Sequence, residues 1–400
     1  SSSSSVATIS EVKENTSEKA KIQAYLDGGD SVDAIQATVD AFNEQSTTTE
    51  LELVPLPAGQ SGYQILTVMY NAGNPPALFS LEAGDMKKVE DKLLELTDLS
   101  CIDKAVPGTL EDGTRNGKLY GVPYSRVEAF GLVYNRKVLD DVLGEDFDPA
   151  TLTTVEKLEE TFSKIESKGV APIVLGPQDW SLANHFFSDV YTGQSEDYDE
   201  RNTFIESLKN GEVDLNSNEA FNLIMDTFDI FMKYNYYKDN PLEYSTDSSI
   251  DKQAQVLATE QAAFWFQGNW GSTTIRMVDE EGEYGMVPIP YGSDENAYPS
   301  HRITTLIPTY LCIENTVTSE EEQNSAKEVI EFFVQSEQGQ KLALLDFKGN
   351  PAYTNYTFEP VESLTKSINP FQESGKTKMQ YMGLTSDHSR DVGVIMQKYL

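Results

Sequence analysis

The stretch IQAYLDGGDSVDAIQATVDAFNEQSTTTELELVPLPAGQSGYQILTVMYNAGNPPALFSL, residues 22–81, decides the fold. Ile22 to Leu26 reads as a short strand that runs into Gly28-Gly29-Asp30. Asp30 or Ser31 can cap the helix that follows, where Ile35, Val39 and Phe42 recur on one face at helical spacing. Leu51 to Leu56 is a second strand, and Tyr63 to Asn71 a second helix with Leu66 and Tyr70 on its buried side. Gly73 stops that helix, and Asn74-Pro75-Pro76 prevents it from resuming because proline has no backbone donor to give. Ala77 to Leu81 adds a third short apolar strand. Strand, helix, strand, helix, strand within sixty residues specifies an α/β lobe with a largely parallel sheet.

The same alternation returns further along. Thr153 and Glu156 fit a capping box, Val155, Leu158, Phe162 and Ile165 form one apolar face, and Gly169 ends the helix. Val170 to Leu175 follows as a buried strand. It leads into Gly176-Pro177-Gln178-Asp179-Trp180, which places an aromatic beyond the carboxyl end of a strand, where open α/β sheets bind ligands. Asn218 to Asp239 reads as mostly helix, with Phe221, Met225, Phe228 and Phe231 buried.

Four hundred residues exceed the usual size of one domain, so two lobes and a cleft between them are expected. Thirty basic residues against sixty-five acidic leave a net charge of −35, which repels nucleic acid and anionic lipid and favours a soluble monomer. The two cysteines, Cys101 and Cys312, sit in apolar settings that favour buried free thiols, although spacing alone does not exclude a pair. No apolar run approaches the roughly 20 residues that span a bilayer. Residues 1–19 are polar and Ser-rich at the start, as expected of a flexible tether.

Catalytic signatures are missing from the sequence. His185, His301 and His388 form no pair at metal-ligand spacing, and neither a Gly-x-Ser-x-Gly elbow nor a glycine-rich phosphate loop occurs. Asp197 and Asp199 lack the glycine and distal glutamate of a calcium loop and read as a solvated turn. No enzyme, metal or cofactor is therefore expected, although a glycosidase needs only two carboxylates and stays open on sequence alone.

Four blocks carry a resemblance. They are Asn116-Gly117-Lys118-Leu119-Tyr120-Gly121-Val122-Pro123-Tyr124 with Gly131 to Lys137; Ala258 to Phe264 with Gly268-Asn269-Trp270; Tyr284 to Pro290; and Ala326 to Lys341. Together, and in this order, they resemble the extracellular solute-binding proteins of bacterial ATP-binding cassette importers, in particular the carbohydrate-binding, maltose-binding-protein-like family. The resemblance implies a periplasmic-binding-protein-like α/β fold, with discontinuous lobes of residues 20–130 with 287–340 and 131–286 with 341–400. Three crossings are implied near Phe130 to Tyr134, Tyr284 to Pro288 and Gln340 to Pro351, forming a hinge around a ligand cleft. It also implies a carbohydrate ligand, permease subunits as partners, and an extracellular location with a lipid-modified cysteine upstream of the tether. The alternatives are a secreted carbohydrate-active enzyme, or the same fold with a non-sugar solute.

A saccharide presents apolar faces and polar edges, so its site needs aromatic platforms and side-chain hydrogen bonds. Trp180 and Trp270 are the leading platforms, with Gln178, Asp179 and Asn269 beside them, and they match positions where the family stacks sugars. Trp265, in Ala-Phe-Trp-Phe, reads as core. Glu82 and Asp85 follow a strand and either reach the cleft or are merely solvated. Asp27, Gly28 and Asp30 resemble a ligand loop of the family, as does Glu128 beside the first crossing. Tyr124, His301, Arg302 and Tyr353 complete the candidates.

Overall fold

The computed structural model describes residues 18–28, 31–55, 61–242, 250–384 and 387–400. Most of the tether and Asp30 therefore lie outside the described residues. In chain order the strands are β1 (Ala20–Tyr25), β2 (Thr49–Leu53), β3 (Leu78–Leu81), β4 (Thr114–Arg115), β5 (Lys118–Leu119), β6 (Val122–Pro123) and β7 (Arg126–Asn135). They continue with β8 (Ala171–Val174), β9 (Ala262–Gly268), β10 (Tyr284–Val287), β11 (Ile303–Leu306), β12 (Tyr310–Ile313), β13 (Asn350–Pro351) and β14 (Thr377–Met379).

The opening stretch folds as its periodicity requires. β1 pairs in parallel with both β2 and β3, and Ile35, Val39 and Phe42 of the helix Val32–Gln45 bury against them. Gly73 adopts φ +74° just past the helix Gly62–Asn71, a left-handed conformation that glycine reaches without steric penalty. The first sheet runs β2-β1-β3-β12-β6 and the second β14-β11-β7-β9-β8, with β10 and β13 also paired to β7. Every residue of β9 is buried, as expected for a strand covered on both faces.

Two hydrophobic cores follow the two sheets. One draws on residues between Ile22 and Val127 and between Ile307 and Tyr353. The other side draws on Ala129 to Leu306 and Leu364 to Met396. The chain changes sheet at 123–126, between β6 and β7, and at 307–309, between β11 and β12, and β13, within the third expected crossing, pairs with β7; the expected crossings near Phe130 to Tyr134 and Tyr284 to Pro288 lie inside the second sheet. An apolar strand does not announce which sheet it will pair with, which is why the expected boundaries were displaced.

Local details differ in the same way. The helix Val155–Ser167 is capped by Thr154, whose Oγ1 accepts from Lys157 N at 3.2 Å, and not by a Thr153–Glu156 box. Glu156 instead accepts from Ser293. The helix Glu219–Tyr234 buries Ala220, Ile224, Phe228 and Phe231, while Phe221 and Met225 are only partly buried at its flank. It stops at Asn235, whose side chain bonds to both the N–H and the carbonyl of Leu175. Cys101 and Cys312 are both buried free thiols, and burial pushes the Cys101 thiol up to about 12. No described helix is long and apolar enough to cross a membrane.

One polar network lies deep in the second core. Asp189 accepts from Tyr291 Oη at 2.6 Å and Thr304 Oγ1 at 2.9 Å, and lies 3.4 Å from Lys378 Nζ. Both charged side chains are 1% exposed, so the pair is shielded from water and its partners satisfy it. It ties the helical segment after β8 to β11 and β14.

Candidate functional site

The chain after β8 turns into a helical segment whose first full turns, Ser181–Phe187, are π-helical. Such wider turns re-aim side chains and recur at functional sites. Asp179 Oδ1 accepts from Trp180 N at 2.7 Å and fixes the entry. The Trp180 ring meets His185 edge-on at 5.5 Å, and His185 lies 4.9 Å from Trp270 on the neighbouring strand end. Trp270 follows β9, and its ring lies over Gly268, where a Cβ would stand 2.3 Å from the indole. Only glycine permits that approach. Trp270 Nε1 donates to Gln267 Oε1 at 2.8 Å, so the indole is held in one orientation. Trp180, His185 and Trp270 thus form a continuous aromatic strip, with Phe130 behind His185 at 5.2 Å.

The opposite lobe supplies carboxylates. Asp27 follows β1 and Glu82 and Asp85 follow β3; Ser80 Oγ accepts from Asp27 N at 2.8 Å and joins the two strand ends. Glu82 keeps contact with solvent, yet its carboxyl is raised above the usual range by the surrounding protein and then by Asp85 and Asp27. The Tyr25 phenol is pushed up to about 12 by burial, Asp27 and Glu82, so these groups share one neighbourhood. Lys88 offsets part of this charge at 3.0 Å from Asp85. A cluster of this kind presents several acceptors to a ligand's hydroxyl groups.

The segment 347–348 connects the two walls. A Cβ on Gly28 would stand 3.7 Å from the Phe347 ring, and Asn269 Nδ2 reaches Lys348 O at 3.5 Å. Arg126 stacks on Phe347 at 4.0 Å and pairs with Glu128 at 3.3 Å. The loops after β1 and β9 therefore both adjoin segment 347–348, at the carboxyl ends of strands where open α/β sheets bind ligands.

The structure brings Trp180 and Trp270 together through His185, and Asp27, Glu82 and Asp85 together beyond β1 and β3; Gly28 and Glu128 approach through Phe347 and Arg126, while Asp179 packs against Gly393 of the C-terminal helix. Asn269 is buried, with its Oδ1 accepting from Ala129 N at 3.1 Å, so it ties the loop after β9 to β7. Gln178 is buried too and accepts from Gln253, which in turn accepts from Trp265 Nε1, so this chain is internal to the core. Trp265 is fully buried, as its apolar neighbours require. Tyr124 and Tyr353 are core residues of the first lobe, 1% exposed. Arg302 lies elsewhere, 2.9 Å from Glu196, and His301 packs on Phe371 at 6.2 Å. Sequence reasoning missed His185, Arg126 and Phe347. The one signal available was spacing: His185 lies five residues after Trp180 in a helical segment. Among the described residues no group of three or more His, Cys, Asp and Glu could hold a metal ion.

Comparison with known proteins gives this cleft a context. The sequence profile of the bacterial extracellular solute-binding protein family matches residues 28–340. The chain belongs to that family. An uncharacterized ABC transporter extracellular-binding protein of Pyrococcus horikoshii is 24% identical over 301 residues, covering 72% of this chain. The match spans 64% of that relative's length, and a second relative from the same organism is spanned over 59%. A family 1 extracellular solute-binding protein from Bifidobacterium longum subsp. infantis superposes with a TM-score of 0.72 at 17% identity, over 96% of this chain and 94% of that one. A sugar transporter protein from Bacillus licheniformis in complex with stachyose gives 0.64 at 18% identity, over 94% of each chain. The solute-binding fold is thus two-lobed and built to bind, and the family is not one of catalysts.

Burial lowers the His185 imidazole from its ordinary 6.5 to about 4, so this member of the solute-binding family keeps it neutral at physiological pH. Between these values the unfolded chain binds up to one more proton at this residue than the native protein, so stability is present above pH 6.5 and falls as pH drops toward 4. Urea unfolding of His185→Gln across this range is expected to lose that component of the slope. An unchanged slope would mean that the ring is charged or solvated in the native state.

Proposed function

We propose that this protein captures a mono- or oligosaccharide between its lobes and hands it to the permease subunits of an ATP-binding cassette importer. The observation that carries the reading is the strip of Trp180, His185 and Trp270 in one lobe with Asp27, Glu82 and Asp85 in the other. Aromatic faces take the apolar C–H faces of a pyranose, and carboxylates accept from its hydroxyls. Ligand contacts drawn from both lobes favour a closed state over an open one. The stachyose complex of the Bacillus licheniformis relative supports the ligand class. The protein acts as a monomer outside the cell. The Ser-rich start, residues 1–5, supports a spacer to a lipid anchor.

The test is a thermal-shift screen over neutral mono- and oligosaccharides, followed by solution scattering with the best hit. A ligand at 100 times its dissociation constant should stabilise the native state by about 2.7 kcal/mol. Binding should be accompanied by a smaller radius of gyration and an unaltered sugar. Recovery of a cleaved sugar would replace the reading with a carbohydrate-active enzyme, and stabilisation by amino acids or peptides alone would replace the ligand class.

A further inference from the structure

A cavity of about 860 Å³ lies between the lobes, and carboxylates line it from both sides. Glu111 and Asp112 come from the first lobe, and Glu196, Asp197, Asp199 and Glu206 from the second. The loop that carries Glu82 and Asp85 also gives it Ala83, Gly84 and Lys87, but none of Trp180, His185 and Trp270 lines it. Tyr198 and Tyr381 add two aromatic rings.

One of these acids is not a surface charge. Asp112 is 5% exposed, and its Oδ2 has no partner among the described residues. A buried carboxylate is acceptor-only and is costly without a donor. Burial pushes this carboxyl up to about 6 although Arg201 and Arg115 pull the other way, which leaves it mostly ionised above neutral pH. The nearby guanidinium of Arg115 is committed elsewhere, with Nη1 donating to Asp112 O at 2.7 Å and Thr114 O at 2.8 Å, and Nε 3.5 Å from Glu90. Glu111 is raised by burial and, against the pull of Arg201, by Asp197 and Asp199, so the acids of the two lobes crowd each other. Glu196 and Glu206 have exposed partners in Arg302 and Lys209; among the described residues Asp112, Asp197 and Asp199 form no ion pair.

The spacing of the acids selects the kind of cation. Among the described residues no three His, Cys, Asp or Glu side chains could hold a metal ion, so the carboxylates are too dispersed for one compact charge. Asp199, Asn202 and Glu206 line the cavity from one face of the helix Tyr198–Lys209, at spacings of three and four residues. At 1.5 Å per residue the two acids of that face stand roughly 10 Å apart along the axis. We infer that this cavity is a second binding site, separate from the sugar cleft, for a linear organic cation with two or more ammonium groups. One ammonium donates to Asp112 and others to the carboxylates of the helix face. The methylene stems between them lie against the rings of Tyr198 and Tyr381, which also attract the charge.

Calorimetric titration with spermidine alone tests the site, so the outcome does not depend on whether a sugar binds. Any cation is drawn to a chain of net charge −35, so sodium chloride and magnesium chloride at matched ionic strength are the controls. Saturable binding of one spermidine per chain is expected, with a rise in melting temperature that the salts do not reproduce. Asp199→Asn and Glu206→Gln, both at exposed positions, should each weaken it about two- to fivefold. Asp112→Asn should weaken it more than about tenfold, the effect of losing a hydrogen bond to a buried charge. Glu160→Gln removes the same charge from an exposed side chain outside the cavity and should change nothing. If Asp112→Asn does not fold, the two exposed variants decide. Stabilisation by magnesium chloride equal to that by spermidine, or equal losses in Glu160→Gln and the cavity variants, would overturn the site and leave charge screening alone.

Discussion

Replacing Trp270 by alanine is expected to weaken sugar binding by roughly 30-fold or more, the effect of losing about 2 kcal/mol at the centre of a binding site. The indole is positioned from two sides, by the Nε1 bond to Gln267 and by the close approach over Gly268. It is half-buried, whereas Trp265 is fully buried with Nε1 on Gln253. The two tryptophans should therefore separate by readout. Trp265→Ala empties a packed core position and should lower stability by about 3–5 kcal/mol, while Trp270→Ala should act mainly on affinity. Trp180→Ala should behave like Trp270→Ala, because both rings flank His185. Calorimetric titration and urea unfolding of each variant check this, and full affinity in the Trp270 and Trp180 variants would remove the aromatic strip from the site.

The second large effect is one of stability. Lys378→Met leaves Asp189 buried and charged with only the Tyr291 and Thr304 hydroxyls to satisfy it. Removing one member of a buried pair typically lowers stability by about 3–5 kcal/mol, since the remaining charge has lost its counterpart and gained no water. Asp189→Asn takes the counter-charge from Lys378 in turn, leaving its ammonium the bond to Pro299 O at 3.1 Å and the face of Tyr291 at 4.9 Å. A double change to apolar residues of similar volume should be milder than either single one, because it removes both desolvated charges together. Urea unfolding of the three variants measures this. A loss below about 1 kcal/mol in the single variants would show that water reaches the pair, as it does for surface pairs.

Much of this could be read before any coordinates. The alternation over residues 22–81 specified a parallel α/β sheet, and β1 pairs with β2 and β3 as that pattern requires. The placement of Trp180 and Trp270 just beyond β8 and β9 was legible because turn residues precede both; each is only partly buried. The apolar setting of Trp265, Cys101 and Cys312 likewise announced burial. These are local properties, set by periodicity, by turn chemistry and by the identity of the nearest neighbours in the chain.

Partner choice was not legible. The sequence around β7 states that a strand exists, but not that it will carry β9, β10, β11 and β13 and so move the hinge to residues 123–126 and 307–309. His185, Arg126 and Phe347 gain their roles from neighbours that are distant in the chain, such as Trp270 for His185 and Phe347 for Arg126. Tyr124, Tyr353 and Gln178 have side chains suited to a sugar site, yet packing turned them inward: Tyr353 Oη donates to Pro123 O and Gln178 Oε1 accepts from Gln253, while the Tyr124 ring fills the first core with its Oη unpartnered among the described residues. Periodicity and turn residues act over a few positions and are written in the chain. Which surfaces meet depends on contacts summed over the whole fold, and only the tertiary structure performs that sum.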